Sequence, residues 1–334
     1  MNTDLLSITS LFPKVLTTGL YIWTYYVTVT RVTVFPYKFV FSVVSLLAIV
    51  ALYTYFKVIN VGPGSPIDFQ DLAIRDLHNV EIGVELPPEY LTRKSVTIKH
   101  DGRFRVCHTC KYWKPDRCHH CSSCERCILK MDHHCPWFAE CIGFENQKFF
   151  IQFLLYSTVY STFVLIITSI QLFRWFHSGK YSEEYIDIRV LQIWLLAIAV
   201  TTSMFVFSWF TIRQLLKNQT TIEMYGQRRY RREFEIRHGM SPSSEINVFD
   251  LGSSSSNWKD VMGNSIIEWI LPIKTFQSQR SRYSLDDHGL YFNVNNSLAT
   301  QSLLDDSHLQ DQLMRRVTPR SSIDIDHYLS LIHI

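Results

Sequence analysis

Two uncharged apolar runs limit what this chain can fold into. Residues 149–173 and 190–212 contain no Asp, Glu, Lys or Arg. Each is long enough to cross a hydrocarbon core of about 30 Å, which takes roughly 20 residues as a helix. Two weaker stretches, 15–32 and 39–56, carry more Thr and Tyr. Tyr, Trp or basic residues flank them, as expected where a helix meets a membrane interface. The pattern predicts an α-helical polytopic membrane protein with four transmembrane helices, two within 15–56 and two within 149–212. The N-terminus has neither an Arg/Lys-rich region nor a small-residue cleavage site, so the first stretch reads as a retained anchor.

Charge sets the expected orientation. The loop between the second and third helices holds Lys57, Arg75, Arg93, Lys94, Lys99, Arg103 and Arg105, and Arg213, Lys217 and Arg228 to Arg237 follow the fourth. The other two loops carry few basic residues, which predicts that the long loop and both termini face the cytosol. A net charge of only +3 gives no basis for nucleic-acid binding. The Gly62-Pro63-Gly64-Ser65-Pro66 turn reads as a stop after the second helix. Residues 81–105 alternate loosely, in the manner of short strands. The stretch 266–271 looks partly amphipathic, as for a helix lying in the interface.

All eight cysteines and five of the thirteen histidines fall between Cys107 and Cys141, inside that long loop. Disulfide scaffolds spread cysteine along small secreted chains, so this cluster belongs to a reducing compartment. Two CxxC pairs, Cys107/Cys110 and Cys121/Cys124, each supply two ligands of a tetrahedral zinc site. His119, His120, Cys127, His134 and Cys141 can complete two sites, and an all-cysteine set of Cys107, Cys110, Cys118 and Cys121 is formally allowed. Spacing implies two zinc ions with one or two cysteines left over, and His108 as an exposed bystander. Asp132-His133-His134-Cys135 adds a thiol within reach of an imidazole and a carboxylate, a set suited to nucleophilic catalysis. The bland alternative makes Cys135 a spare ligand and Asp132 a cap.

With Lys114-Pro115-Asp116-Arg117, Met131 to Trp137, Gly143 to Asn146, Lys148 to Phe150, and Thr220-Thr221-Ile222-Glu223, the cluster resembles the DHHC protein S-acyltransferases (palmitoyltransferases). Asn257 to Gly263 is similar to the family's C-terminal motif. Phe138-Ala139-Glu140, Phe249 to Gly252 and Gly289 to Val294 resemble most closely the fungal vacuolar subgroup. Two departures stand out: Gly62 where most members have Asp, and Ala139-Glu140 in place of a polar pair ending in Asn.

The resemblance implies one zinc on Cys107, Cys110, His120 and Cys127, and another on Cys121, Cys124, His134 and Cys141, both structural. Cys118 is then a spare thiol. Cys135 is implied as nucleophile, His133 as base and Asp132 as its orienting carboxylate, in a ping-pong transfer from palmitoyl-CoA or another long-chain acyl-CoA to cysteines of cytosolic-face or peripheral membrane proteins. Trp137, Thr24 and Tyr160 are implied to contact the acyl chain, the last two at the closed end of its cavity. Thr220, Thr221, Glu223 and Asn257 are implied braces. Lys114, Arg117, Arg126 and Lys130 are candidates for the CoA phosphates, or simply basic surface. The subgroup likeness implies a vacuolar membrane and a vacuole-fusion armadillo-repeat protein as substrate.

The expected organisation is a cytosolic N-terminus (1–14), two helices (15–56), a cytosolic loop (57–148) with a Cys-rich two-zinc domain of short β-hairpins (104–148), two helices (149–212), a cytosolic segment (213–275) and a variable tail, disordered or loosely docked (276–334). A zinc adaptor with every Cys and His a ligand, and a channel with a regulatory zinc domain, are the rival readings. The second expects charged or Gly/Pro-broken spans, which 149–173 and 190–212 lack.

Overall fold

The computed structural model describes residues 3–97, 103–179, 185–238, 247–274 and 288–295. Four long helices gather side by side: α1 (Thr3–Arg31), α2 (Tyr37–Val61), and, after the intervening module, α5 (Gln147–His177) and α6 (Ile188–Leu215). Between α2 and α5 lie two short helices, α3 (Leu77–Glu81) and α4 (Glu89–Lys94), then six strands. The chain closes with α7 (Thr221–His238), α8 (Ser254–Met262) and α9 (Ile266–Ile270).

Among the described residues, α2, α5 and α6 are long and apolar enough to cross a membrane. The fourth expected span, α1, forms a helix of 29 residues but is not among them, because its Thr- and Tyr-rich sequence lowers its hydropathy. It begins at Thr3, well ahead of residue 15. α5 is the centre of the group, packing on α2 and α6, while α1 packs on both of those helices. The side chains between helices are small or aliphatic, such as Val40, Val44, Ala48, Val164, Ile167 and Ile193. Outward positions are equally apolar (Leu46, Ile49, Phe205, Val206, Trp209). Helices apolar all round need a protein core or lipid around them, and these outward faces are not covered by protein.

The strands form three antiparallel hairpins: β1 (Val106–Cys107) with β2 (Tyr112–Trp113), β3 (His119–Cys121) with β4 (Arg126–Ile128), and β5 (His133–Cys135) with β6 (Glu140–Ile142). The alternation read over 81–105 produces no named strand among the described residues. Pro88 instead starts α4 as its N-cap, where a fixed φ favours helix entry. The Gly-Pro turn does what its residues dictate. Gly62 ends α2 at φ 70°, Gly64 carbonyl accepts from Leu129 N (3.1 Å), and Ser65 Oγ donates to Cys127 carbonyl (2.7 Å). The turn thus stops the helix and docks the Cys-rich module.

Asn146 closes the other junction. Its Oδ1 accepts from Gly143 N (2.9 Å), and its Nδ2 donates to Cys141 carbonyl (3.0 Å) and Val58 carbonyl (3.3 Å). One buried amide therefore ties α2, β6 and the start of α5. Gly143 allows that approach: a Cβ there would lie 2.7 Å from Leu129 O and 2.9 Å from Pro63 O.

α9 turns its apolar residues outward. Ile266, Ile267, Ile270 and Leu271 are exposed while Glu268 is buried, as an interfacial helix requires. Most of the 276–334 tail lies outside the described residues, but part of it is docked: Leu290 is fully buried, and Phe292 rests against Phe144 and Phe249.

Candidate active site and metal centres

The Cys-rich module repeats with a period of fourteen residues, marked by Cys107, Cys121 and Cys135. The run from His119 to Ile128 returns from His133 to Ile142 with His-His-Cys at its head and Cys-Ile at its end. Lys111, Glu125 and Ala139 keep the same spacing and all have positive φ, between 48° and 57°. Each turns its hairpin just past the knuckle, so the backbone repeats along with the sequence.

This repeat explains the ligand sets. In the strand register His120 faces Cys127, and His134 faces Cys141. The Cys107/Cys110 knuckle meets the first of these facing pairs, and the Cys121/Cys124 knuckle meets the second. Each set of four ligand atoms lies within 4.8 Å of one another. His120 Nδ1 is 3.6, 3.2 and 4.0 Å from the sulfurs of Cys107, Cys110 and Cys127. His134 Nδ1 is 3.7, 3.3 and 3.7 Å from those of Cys121, Cys124 and Cys141. A tetrahedral zinc with its usual bond lengths puts nitrogen and sulfur about 3.6 Å apart, so both sets fit the ion. Four protein ligands close each site, the pattern of structural zinc. The all-cysteine alternative is not assembled, and Cys118 stays outside both sets, fully buried.

The third knuckle breaks the pattern. Phe138 stands where its second cysteine would be, and α5 follows in place of a fourth hairpin. Cys135 therefore has the local geometry of a ligand with no ligand set to join. It packs with Tyr55, Phe138, Phe149, Phe150 and Phe153 at the head of the helices.

Asp132 and His133 complete the arrangement. Asp132 Oδ2 is 2.7 Å from His133 Nδ1, and its Oδ1 accepts from Thr221 N at 2.6 Å. Burial alone would raise the Asp132 carboxyl, but its bonds to His133 and Thr221 hold it below the ordinary value. Burial would likewise lower His133; Asp132 and the neighbouring Cys135 thiol outweigh it and lift the imidazole to about 9. His133 Nε2 is buried without a hydrogen-bond partner, which leaves it as the ring nitrogen available to a thiol. Phe150 and Phe207 meet the ring edge to face, at 5.4 and 6.2 Å.

The brace residues hold this set from behind. Glu223 Oε2 accepts from Thr220 N (2.8 Å), and Thr220 Oγ1 accepts from Glu223 N (3.2 Å), capping α7. Arg117 clasps Glu223 through Nε (2.7 Å) and Nη2 (2.9 Å), donates to Asn218, and stacks on Phe249 at 4.5 Å. Its guanidinium is buried and committed, which removes Arg117 as a surface phosphate contact. Lys130 is also buried, and Arg126 pairs with Glu140 at 3.0 Å. Asn257 donates to Leu216 carbonyl and Asp250 and accepts from Leu251 N, locking α8 to the end of α6.

Thr24 and Tyr160 meet across α1 and α5, hydroxyl to hydroxyl at 2.9 Å. Tyr21, not singled out from sequence, packs its ring tilted against Tyr160 (5.2 Å between centroids) and donates to Ser157 at 2.7 Å. Trp137 has an exposed ring, and its carbonyl accepts from Tyr55 at 2.7 Å. The helical spacing of Tyr21 and Thr24, one turn apart on α1, was the available signal for Tyr21. His108 is exposed, 3.8 Å from Glu81.

A family model described as DHHC palmitoyltransferase matches residues 100–228, and the chain belongs to that family. It is a protein S-acyltransferase, with acyl-CoA as co-substrate. The palmitoyltransferase PFA3 of Saccharomyces cerevisiae is 57% identical to it over 326 residues, covering 97% of this chain and 96% of that protein. The palmitoyltransferase PFA3 of Candida glabrata is 50% identical over 319 residues, covering 95% and 96%. Human palmitoyltransferase ZDHHC2 is 34% identical over 235 residues, covering 68% of this chain and 61% of that protein.

Proposed function

We propose that Cys135 carries the acyl group between two thioester exchanges, with His133 moving the proton and Asp132 holding His133. The buried, unpartnered Nε2 of His133 is the observation that carries this reading. Asp132 occupies Nδ1, so only Nε2 can take the Cys135 proton. The resulting thiolate attacks the carbonyl carbon of the acyl-CoA thioester. The carbon–sulfur bond to coenzyme A breaks, and His133 returns its proton to the departing thiolate. A substrate cysteine then gives its proton to His133 and attacks the Cys135 thioester, and Cys135 leaves as thiolate. One thioester replaces another, so the enzyme's task is positioning and desolvation.

Zinc, held by the two four-ligand sets, supplies a rigid frame on either side of the nucleophile. Thr220, Thr221, Glu223 and Asn257 extend that frame to the helices. The rings around Cys135 receive the start of the acyl chain, with Trp137 at the rim. The Thr24–Tyr160 contact closes its far end: Tyr160 lies ten residues beyond Phe150 along α5, about 15 Å deeper. With α1 as a fourth span, the zinc module and both termini face the cytosol. The likeness to fungal PFA3 proteins favours the vacuolar membrane, with a vacuole-fusion armadillo-repeat protein among the substrates.

The test is Cys135→Ser. The variant is expected to retain two zinc ions per chain and to lose hydroxylamine-sensitive labelling by palmitoyl-CoA. Persistent labelling, or loss of zinc, overturns the reading.

A further inference from the structure

A second polar site lies beside the first turn of α5. It is a cleft of about 80 Å³, lined by Lys130, Lys148, Lys274, Glu145 and Asp260. One water needs only about 10–15 Å³ of such space, so the cleft has room for several waters or a group of phosphate size.

Its lysines are unusual. Lys148 is 6% exposed, and its Nζ is buried without a hydrogen-bond partner. Lys130 is 4% exposed, with Asp260 Oδ2 at 3.8 Å. Lys274, at the rim, pairs with Glu145 at 3.0 Å. A buried ammonium with no hydrogen bond is costly and calls for a partner. Glu268, the acid that acts on Lys148 from nearby, is already engaged in capping α9: its Oε2 accepts from Ser265 N at 2.8 Å. Three ammonium groups and two carboxylates line the cleft, with the Glu268 carboxylate close behind Lys148. The cleft also sits at the first turn of α5, where the helix dipole favours an anion.

Two observations indicate where the anion comes from. Gln152, one turn beyond Lys148 on the same face, donates to the Trp269 and Leu271 carbonyls at 3.0 Å. The cleft thereby adjoins α9, whose exposed Ile266, Ile267 and Ile270 belong among lipid headgroups and acyl chains. Phe150, which carries the His133 contact, lies about 200° around α5 from Lys148, while Phe149, which packs with Cys135, lines one wall of the cleft. We propose that this cleft binds the headgroup phosphate of an anionic phospholipid in the adjoining leaflet, with Lys148 and Lys130 as its inner ligands and Lys274 at its rim. Such a lipid would join α5, α8 and α9 and fix the zinc module against the membrane. The cleft's lysines are distinct from the acyl-transfer residues, and the proposal does not depend on the roles of Cys135, His133 and Asp132.

The test is thermal unfolding of the full zinc-loaded chain in detergent, with dioctanoyl phosphatidic acid as probe. At saturating lipid the wild type should rise in Tm by about 2–4 °C or more, and dioctanoylglycerol should leave it unchanged. Lys148→Met should fold, since it removes a buried charge, and should not respond. Lys274→Glu, an exposed change, should respond weakly or not at all, and decides the matter if Lys148→Met does not fold. No rise in the wild type, or an equal rise in the variants, overturns the site. An equal rise with coenzyme A or inorganic phosphate alone overturns the lipid as its occupant.

Discussion

Asn146 shows how much one side chain can decide. Its amide satisfies the Gly143 N–H and the carbonyls of Cys141 on β6 and Val58 on α2, all buried. Asn146→Ala would remove all three bonds and strand the buried Gly143 N–H, while the Val58 carbonyl keeps its bond from Gly62 N, at a cost of about 1–3 kcal/mol. A lower Tm and weaker zinc retention are expected, measured in detergent against wild type. Tyr160 makes a different kind of prediction. If its hydroxyl contact with Thr24 closes the acyl cavity, Tyr160→Ala should shift preference toward longer acyl-CoAs, and an unchanged chain-length profile would refute that role. The sequence singled out both residues of this pair through the family likeness. It did not single out Tyr21 or Ser157, whose part depends on how α1 and α5 are brought together.

At the level of elements, the three hairpins share one turn geometry, with a left-handed residue after each knuckle position. A non-glycine residue there costs roughly 1–2 kcal/mol. Ala139→Gly should therefore hold or raise stability by up to about 1 kcal/mol, whereas the β-branched Ala139→Val should lower it and loosen the site of His134 and Cys141. Chelator competition for the second zinc, with Tm alongside, checks both. The hairpins were legible as metal-binding knuckles, but the pairing of ligands was not. Spacing records distance along the chain, while the partner of each knuckle is fixed by the register that sets His120 opposite Cys127 and His134 opposite Cys141. The fourteen-residue repeat was a readable signal that would have narrowed the choice. The alternation over 81–105 misled because Pro88 outweighs a weak period-two pattern.

For the molecule as a whole, the zinc module and the helices are stabilised by different means. Stripping the metal with a strong chelator should release two zinc ions per chain and abolish acyl labelling, because small zinc modules lack the core to stay folded alone. The helices should survive, since their backbone bonds are satisfied within each helix and the bilayer, not the metal, favours them. Zinc analysis and far-UV circular dichroism on the same sample test this; a collapse of helical signal together with zinc would count against it. Arg117 joins the two parts, reaching from the module to Glu223 on α7 and to the rings of Phe249 and Phe292. Those rings come from segments far apart in sequence, so no local pattern marks their meeting. The burial of Leu290 likewise shows docking within a stretch whose composition reads as loose.

What the sequence determined by itself was chemistry that depends on residue type and run length: uncharged spans that suit lipid, thiols and imidazoles that suit metal, and an Asp-His-His-Cys run whose residue types suit nucleophilic catalysis, with acyl transfer implied by the family likeness. The tertiary structure decided whatever depends on which groups meet. It left Cys135 out of a metal set because Phe138 replaces a ligand and α5 replaces a hairpin. It turned Arg117 inward to an ion pair, and it gathered Lys130, Lys148 and Lys274 from three separate stretches into one cleft. Charge and burial act through space, so these outcomes follow from the folded distances and not from the order of residues along the chain.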